Sequence, residues 1–297
     1  MTASSLPRFV RQPGPPESER MVAIAAGGRR FDLKLDAGLP LLEAVHRGFA
    51  KAGFESGACD LDGVTLARLS YCIPALSKTP DHVAFYSDTY RPAGPTVISR
   101  GALTFGRRDA APFFHAHALW READGKIMGG HILPEQTFLA KPATVRAIGL
   151  NGALFDAGPD TETGFKIFSP VIAPAAQADG PFMRVFAIRL RPNSDFCGSL
   201  EKLCADHGIS HAVLRGGVGS TIGVRFEDGR EAPNFATEIF IREGRITPGA
   251  DGRPEASVDV GLIDYQAQIF EGRFKRGDNP VLITFEIILE TDRPWPA

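Results

Sequence analysis

Three of the chain's seven histidines lie in one short stretch, Pro112 to Glu135, at His115, His117 and His131. Neutral imidazole is a ligand for zinc and similar divalent ions. Three imidazoles on one ion leave a fourth position open, the arrangement of a catalytic or labile site. The spacing suits a β-hairpin, because Ala123-Asp124-Gly125 is a turn signal with apolar runs on both sides. A three-residue loop with Gly125 in the left-handed conformation sets Glu122 opposite Lys126. That register places His117 directly across from His131, with His115 two residues along on the same face. Opposed β-carbons on one face lie roughly 5 Å apart, close enough for three rings to share an ion. The reverse face then carries Phe114, Ala116, Ala118, Trp120, Met128 and Ile132, as a core-facing side should. Gly129 and Gly130 leave room for a close approach beside the ligands. The plainer alternative is a polar strand face on which the histidines make no common site.

Other side chains near the hairpin could act on a bound molecule. Arg100, Arg107, Arg108 and Arg121 flank it, and a guanidinium holds a carboxylate by paired hydrogen bonds. Arg100 and Arg107 are the substrate-binding candidates, and Arg121 joins Glu135 as a catalytic candidate. Glu135 could serve as general acid or base, or orient an imidazole. Taken singly, each of these reads more simply as a solvated surface residue. No serine, cysteine or lysine sits in a nucleophile motif. The loop Arg215-Gly216-Gly217-Val218-Gly219-Ser220 could cradle an anion, but it lacks the P-loop lysine and reads more simply as a glycine-rich turn.

With 297 residues, the chain can bury two cores of ordinary size. A net charge of −2 supplies no positive field for nucleic acid or an acidic membrane. The four cysteines show no CxxC spacing and are expected as reduced thiols, Cys204 on a helix face. No apolar run is long enough to span a bilayer and the N-terminus lacks a secretory pattern, so a cytoplasmic location is expected.

Read in order, residues 1–20 form a tail or an arm lying across a neighbour. Met21–Ala26 and Arg30–Leu35 read as two strands about a Gly27-Gly28 turn. Leu42, Val45 and Phe49 recur at helical spacing, with Gly53 as the stop. Short strands, the hairpin and a closing extended stretch complete a unit over residues 21–150. Residues 151–181, rich in Gly, Pro, Asp and Thr around an apolar patch at Phe165–Phe168, read as a linker. The pattern then begins again over residues 182–297. Leu35 and Gly53 map onto Leu190 and Gly208 at an offset of 155, and the hairpin recurs at an offset of 142. At that offset Ser257, Asp259 and Arg273 stand where His115, His117 and His131 stood. We read an internal duplication whose second copy keeps the fold and loses the ligands, with an Asp259–Arg273 ion pair in place of the ion.

The hairpin Phe-His-x-His … Asp-Gly-x-x-x-Gly-Gly-His, preceded by a strand and a helix ending in glycine, resembles the plant and prokaryote conserved (PPC, DUF296) domain. The likeness covers roughly residues 21–150 and is sharpest from Phe114 to Leu133. The second copy resembles the same domain through its strand–helix start and Gly216-Gly217-Val218-Gly219. The resemblance implies an α+β fold of two related domains, each a mixed, largely antiparallel sheet with one main helix. It also implies trimeric assembly and a metal, zinc or another divalent ion, on the positions of His115, His117 and His131. A cupin-like pattern fits His115, His117 and Glu122 less well, since Glu122 falls at the turn and no second histidine motif follows.

Two functions follow. One is a metal-dependent enzyme acting on a small carboxylate- or carbonyl-containing molecule, by lyase, decarboxylase or hydrolase chemistry. The other is a non-enzymatic DNA-associated or regulatory protein with a structural metal. The AT-hook core is absent, since Asp251-Gly252-Arg253-Pro254 has an acid in its first place, and the basic clusters are short and mixed with acids. Nucleic acid is therefore the less expected partner.

Overall fold

The computed structural model of the protein describes residues 8–296. The first strand, β1 (Met21–Leu35), runs unbroken through Gly27 and Gly28, where the sequence suggested a turn. The glycines serve instead at a change of partner, where the strand leaves one neighbouring strand and joins another. A β-carbon on Gly28 would lie 2.3 Å from Val185 Cγ1, so only glycine admits that neighbour.

Helix α1 (Leu41–Lys51) buries Leu41, Ala44, Val45 and Phe49 on one face. It stops at Gly53, whose φ of 83° lets the chain reverse. Then come β2 (Gly57–Asp60), β3 (Thr65–Arg68), β4 (Tyr71–Cys72), β5 (Pro74–Leu76) and β6 (Ala84–Tyr86). The central strands are β7 (Thr96–Arg108), β8 (Ala111–Arg121) and β9 (Ile127–Ile132), and β10 (Phe138–Leu139) and β11 (Ala143–Asn151) close the half.

The region 151–181, expected as a linker, holds β12 (Ala153–Pro159) and β13 (Lys166–Ile172), a hairpin packed on the sheet. Its apolar patch explains the difference: Phe168 is buried with Phe155 in a seam that also takes Ala26, Val185 and Ile288.

The second half follows the same plan. It runs β14 (Met183–Leu190), α2 (Phe196–Asp206), β15 (Ala212–Arg225), β16 (Glu231–Pro248), β17 (Pro254–Asp264), β18 (Ile269–Arg273) and β19 (Val281–Pro294). Asp195 caps α2, its Oδ1 accepting from the Gly198 N–H at 2.7 Å. Gly208, at φ 60°, ends it, and Leu200, Leu203 and Cys204 are buried on its inner face.

The pairing order β1-β11-β2-β7-β8-β9 in the first half matches β14-β19-β15-β16-β17-β18 in the second. The β1–β14 pair joins the halves into one hydrogen-bonded system. Among the described residues, pairing is antiparallel apart from β7 with β12. With two α-helices beside these strands among the described residues, the class is α+β and nearly all sheet. Each half has its own core, around Phe49, Phe105, Phe114 and Trp120 in the first and Phe196, Phe274 and Phe285 in the second.

The N-terminal arm lies across the second half, where Gln12 Nε2 donates to Leu282 O at 2.7 Å, and reaches the β12–β13 loop, where Arg20 pairs with buried Glu162 at 2.8 Å. Residues 1–7 of the expected tail lie outside the described residues. All four cysteines are free and buried. Among the described residues no helix is long and apolar enough to cross a membrane.

Candidate metal centre

The hairpin β8–β9 has the register its turn chemistry predicts. The Glu122 N–H donates to Lys126 O at 2.8 Å, Gly125 sits at φ 89°, and His117 faces His131. Alternation along β8 sends Phe114, Ala116, Ala118 and Trp120 into the first core, with Met128 and Ile132 from β9. The histidines therefore share the other face. In the fold that face is closed over by the second half, whose β16 and β19 lie against it.

The second half decides the state of the rings. His115 Nδ1 donates to Glu286 Oε2 at 2.7 Å, and His117 Nδ1 donates to the carbonyl oxygen of Ile239 at 2.9 Å. The Ile239 carbonyl has no proton to give, so His117 carries hydrogen on Nδ1 and an open lone pair on Nε2, which faces the Nε2 of His115. Those two Nε2 atoms stand 3.0 Å apart, and His131 Nδ1 is 3.3 Å from His117 Nε2. Burial, and then the neighbouring His115, holds both His117 and His131 well below the ordinary imidazole range, so they stay uncharged. Three ring nitrogens meeting at these distances suit an electron-pair acceptor placed among them. Tetrahedral bonds of about 2.0–2.1 Å would space such nitrogens roughly 3.3 Å apart. The three residues present therefore fit a metal ion, and as a set they could hold one.

Two acidic residues that the sequence reading missed complete the surroundings. Glu286 is fully buried, and its Oε1 accepts from the Thr284 hydroxyl at 3.3 Å. This is the outer-shell support that metal-binding imidazoles need. Glu238 is also buried, with Oε2 3.8 Å from His117 Nε2 and no hydrogen-bond partner on that oxygen. Burial pushes its carboxyl well above the usual range, opposed by the His131 backbone N–H. Local sequence signal for either glutamate is absent, since both lie more than a hundred residues from the hairpin.

A cavity of about 460 Å³ opens on the histidines, Glu238 and Glu286, a size normal for small-molecule sites. Glu135 lines it as an exposed residue. The arginines singled out in sequence scatter. Arg121 donates to Gly125 O at the hairpin tip, and Arg100 pairs with Asp62 at 2.6 Å. Arg107 pairs with Asp156 at 2.8 Å beside a separate cavity. None of these three lines the histidine cavity; Arg108 does. Each displaced arginine is committed to an oxygen acceptor that lies away from the histidine face.

At the equivalent hairpin Asp259 faces Arg273 across the strands, as expected. The expected ion pair does not form. Asp259 is 3.8 Å from Arg242, and Arg273 is 3.7 Å from Glu227. The loop at Gly216–Gly219 is part of β15, with Gly216 and Gly217 at positive φ where the strand shifts register.

Residues 177–291 match the family model of the Plants and Prokaryotes Conserved (PCC) domain. No curated protein matches the sequence. Among solved structures, the chain is similar to a metal-containing protein of Archaeoglobus fulgidus at 21% identity and TM-score 0.39, covering 50% of this chain and 98% of that one. It is similar to a plant- and prokaryote-conserved (PPC) protein of Pyrococcus horikoshii at 17% identity and TM-score 0.36, covering 50% and 97%. A candidate DNA-binding protein of Ralstonia eutropha JMP134 aligns at 12% identity and TM-score 0.37, covering 48% and 90%.

Proposed function

The chain carries a PCC domain over residues 177–291, and from that premise we propose a metal-dependent enzyme acting on a small carboxylate- or carbonyl-containing molecule. In this reading the chain is a tandem of two related domains. The first supplies the ligands His115, His117 and His131. The second has lost those ligands and supplies Glu238 and Glu286 to its neighbour's site. The family's trimer remains the expected assembly, and zinc the expected ion. The observation that carries the reading is the meeting of three ring nitrogens inside a cavity large enough for a small molecule. A bound ion there would polarise a carbonyl or carboxylate, or bring the pKa of water toward about 7. Glu286 holds the direction of His115, and the Ile239 carbonyl fixes the tautomer and direction of His117. Glu238 presents an oxygen without a partner beside His117 and is the group placed to take or return a proton. Glu135 reaches the cavity from an exposed position and is the second candidate for that role. The reaction type is lyase, decarboxylase or hydrolase.

The test begins with metal content. Wild type should carry a divalent ion, and His117→Ala should lose it while far-ultraviolet circular dichroism is unchanged. Full metal content in the variant would remove the site. Turnover of small carboxylates by the loaded wild type then supports the enzyme. Metal retention without turnover, together with duplex DNA binding that weakens steeply with salt, would favour the regulatory alternative.

A further inference from the structure

Two cations line the histidine cavity, Arg108 and Lys166. Lys166 is neutralised by both oxygens of Asp109, each at 2.9 Å. Arg108 is half-buried, and among the described residues no carboxylate pairs with it. Its guanidinium lies over the Phe113 ring at 3.8 Å from the centroid, a contact that leaves the in-plane N–H groups free.

The wall around it is aromatic. Phe113 packs on Phe168 at 5.8 Å, Phe85 stacks on Phe165 at 5.9 Å, and Tyr86 packs on His131 at 5.0 Å. Phe85 and Tyr86 remain 47% and 40% exposed and with Phe165 form an apolar patch on the cavity wall, a feature that marks ligand grooves. Small-molecule sites combine such apolar walls with a few polar groups that fix orientation.

We propose that the cavity binds a planar aromatic monocarboxylate, with Arg108 gripping the carboxylate and Phe85, Tyr86 and Phe165 receiving the ring. The inference rests on the enzyme reading and narrows its substrate class. The geometry sets a free two-pronged donor and flat apolar surfaces in the same cavity as the histidines. An aliphatic acid would satisfy the donor and leave the rings uncovered. An aromatic alcohol would cover the rings and leave Arg108 unmet.

The test uses benzoate, benzyl alcohol and acetate as probes, titrated calorimetrically into full-length protein in metal-free and zinc-loaded forms. Wild type should bind benzoate more tightly than either comparison compound. Arg108→Met keeps the stem on Phe113 and removes the charge. It should weaken benzoate roughly ten- to a hundred-fold, as loss of a charged hydrogen bond predicts, and Arg108→Lys should recover part of the loss. Zinc content should be unchanged in both variants. Equal benzoate affinity in wild type and Arg108→Met would overturn the proposal, as would benzyl alcohol or acetate binding as tightly as benzoate. Failure of the metal reading shows separately, as absence of zinc from wild type whatever benzoate does.

Discussion

Replacing Glu286 by glutamine tests whether the second half tunes the first half's ligands. The Glu286–His115 hydrogen bond is 2.7 Å long, with side-chain exposures of 1% and 14%, so water competes for it little. Glutamine preserves the shape and can still accept from Nδ1–H, but without charge. Charged hydrogen bonds contribute about 1.5–3 kcal/mol and neutral ones about 0.5–1.5 kcal/mol. The difference, about 1–1.5 kcal/mol, corresponds to a loss of roughly tenfold in metal affinity. Alanine removes the acceptor and leaves Nδ1–H unmet in a buried place, so Glu286→Ala should approach the hundredfold end of the range known for outer-shell partners. Competition against a fluorescent zinc chelator measures both, with thermal melts of the metal-free proteins as the control for folding. Unchanged affinity in the two variants, with intact melts, would refute the idea that this glutamate orients a ligand.

Two further outcomes are expected. Asp160 joins Arg189 at 2.6 Å and Arg191 at 3.1 Å, with Arg189 only 4% exposed, so Asp160→Asn strands a buried cation and should cost about 3 kcal/mol in chemical denaturation. Burial works against the Asp160 carboxylate, but Arg189 and Thr163 outweigh it and hold the group below its ordinary range. Because the folded pKa is depressed, this stabilisation is present above the unfolded value of about 3.9. It fades as pH falls through the folded value, so the melting-temperature gap between wild type and variant should be constant near neutrality and close below about pH 4. Gly130→Ala would put a β-carbon 2.4 Å from the Cys72 carbonyl oxygen, next to the Cys72–His131 pair. It should lower stability by about 1–3 kcal/mol and weaken metal binding in the same titration, because β9 must move.

What the sequence determined by itself is local. The Ala123-Asp124-Gly125 turn and the two-residue period of a strand were enough to set His117 opposite His131 and to sort six apolar residues onto the core side. Gly53 and Gly208 marked both helix ends for the same reason, since a left-handed residue is a short-range requirement. Gly27 and Gly28 misled that reading, because a glycine needed for close packing looks the same in sequence as one needed for a turn. Adjacent arginines show where local reasoning stops. Arg107 and Arg108 are equivalent in sequence, yet Asp156 takes the first and leaves the second to the cavity. Only the packing of the second half on the hairpin brought Glu238, Ile239 and Glu286 to the rings and gave His117 Nδ1 its carbonyl acceptor. Those partners meet across more than a hundred residues. Their selection comes from how sheet faces bury one another, which spacing along the chain does not encode.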